Sequence, residues 1–343
     1  MSVNIHEIAK QAGFSIATVS RVMNNKGPVN ERTRKKILQV VDTLDYRPHP
    51  IARSLSRKKT DTIGVILPEL VDEFFMEIIH GIDEVAHENN RFILVSSSHS
   101  QRNDVETALE FMSSGRVDGV ILMAPELQKE ILDIFPKSKR PVVLLNCPVE
   151  AENIVSFSIN NYQGAYSAVE HLINHGYTKL GMIKGPEKNA DAQARWLGFC
   201  DALKKHGLDL NSSHIIAGDF SMRSGYYGFT RLLNQKEKPD AIFAANDMTA
   251  VGIYEAASNT GLRIPQDIAV AGFDDIFLSR LLNPRLTTVH VPIMELGSSA
   301  MRYLIRMIEG DVDINKSHKV ELSTGLVVGG SCGCNGSGLK SIT

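Results

Sequence analysis

Cysteine is scarce, with four residues in 343, at positions 147, 200, 332 and 334. That count supplies no disulfide framework and suits a reducing cytoplasm. Only Cys332 and Cys334 are close in sequence, and no partner ligands stand near them. Structural zinc needs four ligands, so no metal site is expected. No run approaches the ~18 apolar residues of a membrane span. The start is polar from Asn4 onward and has no secretory core. G-x-G-x-x-G after a strand and G-x-x-x-x-G-K-[ST] are both absent, which removes the common dinucleotide and phosphate cradles. The eleven histidines contain no H-E-x-x-H pair. Gly329 to Gly333 matches G-x-S-x-G but opens a glycine-rich tail with no helix behind it. Ser56-x-x-Lys59 falls in a basic linker and reads as chance. No catalytic residue, metal or cofactor is expected.

What is present is a soluble globular composition, 43% hydrophobic and 22% charged. The chain is long enough for two or three full-sized cores. Its net charge of −2 conceals a division. Residues 1–60 carry 12 Lys and Arg against 4 Asp and Glu, while the remainder carries 25 against 35. A basic head on an acidic body marks a nucleic-acid module joined to a part that does not bind nucleic acid.

The head opens with NIHEIAKQAGFSIATVSRVMNN, Asn4 to Asn25. Asn4 and Glu7 have capping-box spacing, and Ile5, Ile8 and Ala9 share a helical face. Ala12-Gly13 breaks that helix, because glycine accepts the turn conformation that other residues resist. Ser15 can cap a second helix to about Met23, with Val19, Val22 and Met23 inward. Ile16, Ala17, Ser20 and Arg21 then point elsewhere. This is helix-turn-helix patterning, whose second helix enters the major groove. A third helix from about Glu31 to Leu44 places Ile37, Val40, Val41 and Leu44 inward. Arg32, Arg34, Lys35 and Lys36 lie near its exposed start, where phosphate contact is the expectation. Pro48 and Pro50 stop that helix, and Pro50 can open a short one.

The strings S-I-A-T-V-S-R-V-M-N, R-T-R-K-K-I and Y-R-P-H-P-I-A-R-S-L resemble the headpiece of the lac repressor family of bacterial transcription regulators. The resemblance covers nearly the whole chain. It implies a hinge helix at about 50–57, paired with a second copy in the minor groove. Leu55 would be the wedge into the central base step, with Ala52 and Arg53 alongside. By the same resemblance the DNA-contacting set is Ile5, Ser15, Ile16, Ala17, Thr18, Ser20, Arg21, Asn24, Asn25, Arg32, Tyr46, Pro48, Ala52, Arg53 and Leu55.

From Thr62 onward strands and helices alternate in two successive rounds, which predicts parallel sheets covered by helices on both faces. The expected fold is an N-terminal all-α helix-turn-helix headpiece (1–60) plus an α/β, periplasmic-binding-protein-like body of two doubly wound lobes (61–330). Lobe 1 would hold about 61–160 and 291–321, and lobe 2 about 161–290 and 322–330. Residues 331–343 look like a loose tail. By resemblance the chain crosses between lobes near Ile159–Asn161, Val289–Pro292 and Glu321–Thr324. Ligands of such sheets gather at the carboxyl ends of strands. Candidates there are Asp72, Phe74, Phe75, Ser96 and Asn146 in the first lobe and Phe220, Asn246 and Asp274 in the second, while GPEKNADAQARWLGF resembles the family's effector loop and helix, which implies ligand-facing positions for Asp191 and Arg195. Arg, Asp and Asn present donor and acceptor forks for neighbouring hydroxyls, and an aromatic face can seat a ring. A sugar fits that mix, and an anion fits it less well because Asp191 is acidic. Capping is the plainer reading for Asn246-Asp247 and Asp274-Asp275. Asn160-Asn161 replaces a frequent Asp-Asn pair of the family, which leaves its role open. The expected partners are a near-palindromic operator, a second copy of the chain and a sugar effector. A purine, a sugar phosphate or a corepressor protein are the alternatives. A periplasmic sugar-binding protein shares the body, but the basic head argues against it.

Overall fold

A computed structural model describes residues 4–23, 27–46, 59–68, 70, 72–97, 104–126, 140–147, 155–313 and 317–334. Asn24, Asn25, Pro48, Ala52, Arg53, Leu55, the hinge helix expected at 50–57 and a helix expected at Lys129–Phe135 lie outside the described residues. The chain divides into two units, Met1–Asp61 and Thr62–Thr343.

In the first unit, α1 (Ile5–Ala12), α2 (Ile16–Met23) and α3 (Glu31–Thr43) enclose Ile8, Ala9, Ala12, Val19, Val22, Ile37 and Val41. Asn4 accepts from the Glu7 amide at 3.1 Å and opens α1. Gly13 closes it at φ 73°, a left-handed angle that suits a residue without Cβ. Ser15 Oγ accepts from the Thr18 amide at 3.2 Å, which starts α2. Asn30 starts α3 by accepting from the Arg32 amide at 2.9 Å.

The second unit contains two six-stranded sheets. Sheet 1 is built from β1 (Thr62–Leu67), β2 (Phe92–Ser97), β3 (Gly119–Met123), β4 (Val142–Leu145), β5 (Val155–Ile159) and β11 (His318–Leu322). Sheet 2 is built from β6 (Leu180–Ile183), β7 (Ile215–Ile216), β8 (Ala241–Ala244), β9 (Ala269–Asp274), β10 (Thr287–His290) and β12 (Gly325–Val327). Their orders are β2-β1-β3-β4-β5-β11 and β7-β6-β8-β9-β10-β12, the same topology twice. Every pairing is parallel except β10 with β12. Central strands β3, β6, β8 and β9 are buried at every position. Helices on both faces require this, and it is why these strands read as unbroken apolar runs. The order switches between β1 and β3, and again between β6 and β8, placing ligand crevices at those carboxyl ends.

The chain passes between sheets three times, after β5, after β10 and between β11 and β12. Among the described residues the α-helices of this unit are α4 (Glu73–Glu88), α5 (Asp104–Ser113), α6 (Asn161–Asn174), α7 (Ala190–Lys205), α8 (Met222–Leu233), α9 (Asp247–Thr260), α10 (Phe277–Leu281) and α11 (Ile293–Glu309). Strand β5 and helix α10 are not anticipated by the sequence reading. The alternation in VSFSI is short, and α10 spans barely more than one turn.

One expectation needs correcting. Residues 331–334 are not part of a loose tail, because Ser331 and Cys332 are completely buried. Ser331 Oγ donates to the Val270 carbonyl at 2.6 Å and accepts from the Thr287 amide at 2.7 Å. The segment therefore joins strands β9 and β10, and polar glycine-rich composition misrepresents it. Ser331→Ala is expected to lower stability by about 1–3 kcal/mol, since it leaves a buried amide without its acceptor. A urea midpoint equal to wild type would show the segment to be dispensable.

Candidate functional site

In the first unit, α2 presents Ile16, Ala17 and Arg21 to solvent, with Ile16 41% exposed. An isoleucine and an alanine at the exposed start of a short helix gain nothing from water. A thymine methyl or groove wall would cover them, and the Arg21 fork suits a guanine edge. Arg32 is exposed on α3, while Ser20 is half-buried. Thr18 is turned toward the cap, its hydroxyl 2.8 Å from Ser15 Oγ. Ile5 and Tyr46 are half-buried and pack on the headpiece core.

In the second unit, the cleft is centred on Arg195 of α7, which is 3% exposed. Its Nε donates to Asn161 Oδ1 at 2.9 Å, Nη1 to the Ala245 carbonyl at 2.6 Å and Nη2 to Asp274 Oδ1 at 3.2 Å. The guanidinium carbon lies 3.7 Å from the Phe273 ring centre and 5.5 Å from that of Phe220. Asp191, one turn earlier on α7, accepts from Asn161 Nδ2 at 2.8 Å and from Asn146 Nδ2 at 2.9 Å. Asn146 follows β4 of sheet 1, so this last bond links the two lobes. Ala190 N also reaches the Pro125 carbonyl at 3.0 Å, and Glu73 of α4 accepts from the Phe277 and Leu278 amides. The lobes are thus closed on each other.

Backbone strain collects at the same place. Asn146, Phe220 and Asp274 all have positive φ, at 46°, 68° and 115°. Each follows or ends a strand, and each costs of order 1–3 kcal/mol that surrounding structure must offset. Gly185 permits the Phe220 conformation, since a Cβ there would collide with the Phe220 ring. Asn146 is 2% exposed, and among the described residues its Oδ1 has no hydrogen-bond partner. A buried acceptor of this kind needs a donor.

Of the ten cleft residues expected from sequence, the structure joins Asn146, Asp191, Arg195, Phe220 and Asp274. Asn246 is otherwise engaged: its Oδ1 accepts from the Thr249 amide and hydroxyl at 3.0 and 2.6 Å, capping α9. Asp72 caps α4, accepting from the Phe75 amide at 3.4 Å, yet stays near enough to Asp274 to raise its pKa. Phe74 is buried against an edge-on Phe75, their ring centres 5.5 Å apart. Ser96 is half-buried in β2. Asp274 and Asp275 do not cap α10, which lacks a side-chain cap. Asp275 instead lies 3.1 Å from His290 and 3.3 Å from Arg280. Asp247 accepts from the Thr288 hydroxyl at 2.6 Å and the Ile276 amide at 3.1 Å. Sequence reasoning missed Asn161, which bridges Asp191 and Arg195. The sequence marked it only as part of the Asn160-Asn161 pair at a lobe crossing, with its role left open, and Asn160 proves to be the cap of α6, accepting from the Gln163 amide.

Burial pushes the Asp191 carboxyl up to about 6 and the Asp274 carboxyl up to about 7, although Arg195 opposes both shifts. Asp72 and Asp191 add to the rise at Asp274. Buried acids outnumber the guanidinium, so the pocket disfavours an anion and suits a neutral ligand that donates hydrogen bonds.

Two family profiles match this chain. Residues 4–49 fit the bacterial regulatory proteins, lacI family, and residues 169–332 fit the periplasmic binding protein-like domain. Catabolite control protein A of Priestia megaterium is 35% identical over 94% of this chain and 98% of its own length. The chain belongs to the lacI family of bacterial regulatory proteins. The HTH-type transcriptional repressor PurR of Photobacterium profundum is 32% identical over 94% of this chain and 97% of its own. Among solved structures, the lac repressor dimer bound to operator and the anti-inducer ONPF has a TM-score of 0.83 at 27% identity, covering 97% of this chain and 99% of that one. The complex of transcriptional regulator CelR with cellobiose has a TM-score of 0.73 at 25% identity, covering 96% and 99%. As a lacI-family member the chain is a DNA-binding transcription regulator, with the helix-turn-helix in its first unit and the periplasmic-binding-protein-like fold in its second. Among the described residues no helix is long and apolar enough to cross a membrane.

Raised folded-state values mean that Asp191 and Asp274 hold protons the unfolded chain releases above its ordinary value near 3.8. Stability of the ligand-free protein should therefore fall as pH rises from about 4 to 7, by about 1 kcal/mol per pH unit for each group. Asp274→Asn is expected to flatten this slope in urea unfolding between about pH 4 and pH 7. A slope unchanged in the variant would assign the dependence to other groups.

Proposed function

We propose that this regulator is a homodimeric, cytoplasmic repressor whose operator affinity is set by a neutral sugar held between the lobes. It acts by binding and carries out no catalysis. The observation that carries the reading is the bond from Asn146 in one lobe to Asp191 in the other, inside a cluster of amide, carboxylate and guanidinium groups. A polyol can replace that interlobe bond with its own hydroxyls, satisfy the buried Asn146 Oδ1, and rest a ring on Phe220. Exchanging that bond for contacts to the ligand changes how the lobes meet, and the ligand moves that equilibrium only by its differential affinity for the two states.

The residues proposed for the effector are Asn146, Asn161, Asp191, Arg195, Phe220 and Asp274, with Asp72, Phe74, Phe75, Ser96 and Asn246 forming the wall. For operator DNA they are Ile16, Ala17, Ser20 and Arg21 at the base edges, with Arg32 at phosphate. Ser15 and Thr18 present the start of α2, while Ile5 and Tyr46 brace the module. Asn24, Asn25, Pro48, Ala52, Arg53 and Leu55 belong to the proposal on sequence grounds alone. Two heads per dimer read two half-sites about one helical turn apart. A purine is the second reading, since the half-buried Phe220 ring offers an apolar face to a heterocycle and the Asn146 and Asp274 side chains offer hydrogen bonds to its edge.

Thermal unfolding against mono- and disaccharides, nucleosides, purines and sugar phosphates separates these. A sugar at 100 times its dissociation constant should add about 2.7 kcal/mol. Asn146→Gly keeps the positive φ and removes the side chain. It should bind that sugar about ten-fold more weakly, or worse, with operator affinity preserved. Stabilisation by a purine alone would replace the sugar reading. In the headpiece, Arg21→Ala should relax preference at one base pair per half-site by about 1–3 kcal/mol. Selection from randomised operators reads this directly, and an unaltered consensus would remove Arg21 from base recognition.

A further inference from the structure

Far from the effector cleft, the end of α6 meets the last described residues of the chain. His171 lies in its final turn and His175 at its C-cap, one turn apart on the same face. Their rings are 4.5 Å apart, edge to face. Opposite them the chain leaves β12, is fixed by Ser331, buries Cys332 completely and returns at Cys334. His171 Nε2 is 3.3 Å from Cys332 Sγ and 3.7 Å from Cys334 Sγ. His175 Nε2 is 3.0 Å from Cys334 Sγ. All four atoms lie within 4.8 Å of one another.

Those separations have a metric meaning. Zinc bonds of about 2.0–2.1 Å to nitrogen and 2.3 Å to sulfur put tetrahedral ligand atoms about 3.3–3.8 Å apart along each edge. The His171 contacts at 3.3 and 3.7 Å fall in that range, and the His175–Cys334 contact at 3.0 Å lies just below it. We propose that His171, His175, Cys332 and Cys334 form a tetrahedral two-histidine, two-cysteine site for a zinc ion, which staples the C-terminal segment to α6. The sequence places no partner ligands near Cys332 and Cys334, and the fold brings two histidines to them.

Several features fit a built site. His-x-x-x-His is standard zinc spacing, and it occurs on a helix. Cys-x-Cys is one residue tighter than usual, and Gly333 between the thiols accommodates this at φ 89°. The Tyr177 hydroxyl donates to the Cys332 carbonyl at 3.2 Å, fixing the loop from outside the ligand set. Soft sulfur and imidazole donors without a carboxylate select zinc over magnesium or calcium. Nothing in this site depends on the effector reading.

The test uses the full-length chain, reduced and stripped of metal by a chelator, then titrated with Co2+ and afterwards with Zn2+. The expected result is one Co2+ per chain with a thiolate-to-metal charge-transfer band and tetrahedral d–d bands, both erased by Zn2+. Cys334→Ser and His175→Ala alter the two less buried ligands and should each lose that spectrum while keeping the wild-type circular dichroism. Two outcomes overturn the proposal. One is a Co2+ spectrum unchanged in the variants. The other is no spectrum in a wild-type chain whose thiols are free, whether or not Cys332 and Cys334 form a disulfide without reductant.

Discussion

A buried guanidinium organises the second unit. Removing an ion from water costs several kcal/mol, which only close and well-directed partners offset. Arg195 obtains them from α6 through Asn161, from the end of β8 through the Ala245 carbonyl and from the end of β9 through Asp274. Three separately folded segments are therefore held at one point. Asp191 extends the network across the crevice to Asn146. Burial is what raises Asp191 and Asp274, against the pull of Arg195, and at Asp274 the neighbouring Asp72 and Asp191 add to it.

This network explains why strain gathers where it does. The parallel sheets are buried on both faces and tolerate little polarity along their strands, so chemistry is confined to strand ends. There Asn146, Phe220 and Asp274 adopt left-handed conformations that aim side chains into the crevice instead of back along the sheet. Their neighbours Asp72, Asn160, Asn189 and Asn246 do ordinary work, each accepting an amide at the start of the next helix. Site residues and caps thus share the same loops and the same amino-acid types.

That sharing sets the limit of what could be read. Asn246 and Asp274 were equally plausible as caps or as ligands, and only one of them is a cap. Asn160 and Asn161 are adjacent and chemically identical. One starts α6 and the other bridges Asp191 to Arg195, a distinction made by which way a helix start faces the crevice. The apparent tail was misread for a related reason. Gly-Gly-Ser-Cys-Gly has the composition of a loop, but Ser331 supplies two hydrogen bonds to strands β9 and β10 that no local pattern reveals.

The sequence by itself determined the helix-turn-helix, its inner and outer faces, the basic head and acidic body, and the double α/β alternation. Each follows from periodicity, capping and charge over a few neighbouring residues, which are local properties. Tertiary structure decided which polar groups share a proton or a charge, which strand ends are strained, and which ligands meet. His171 and Cys332 stand 161 positions apart and touch at 3.3 Å. Such a meeting depends on the path of the whole second unit, because close approach in space carries no signature at either position along the chain.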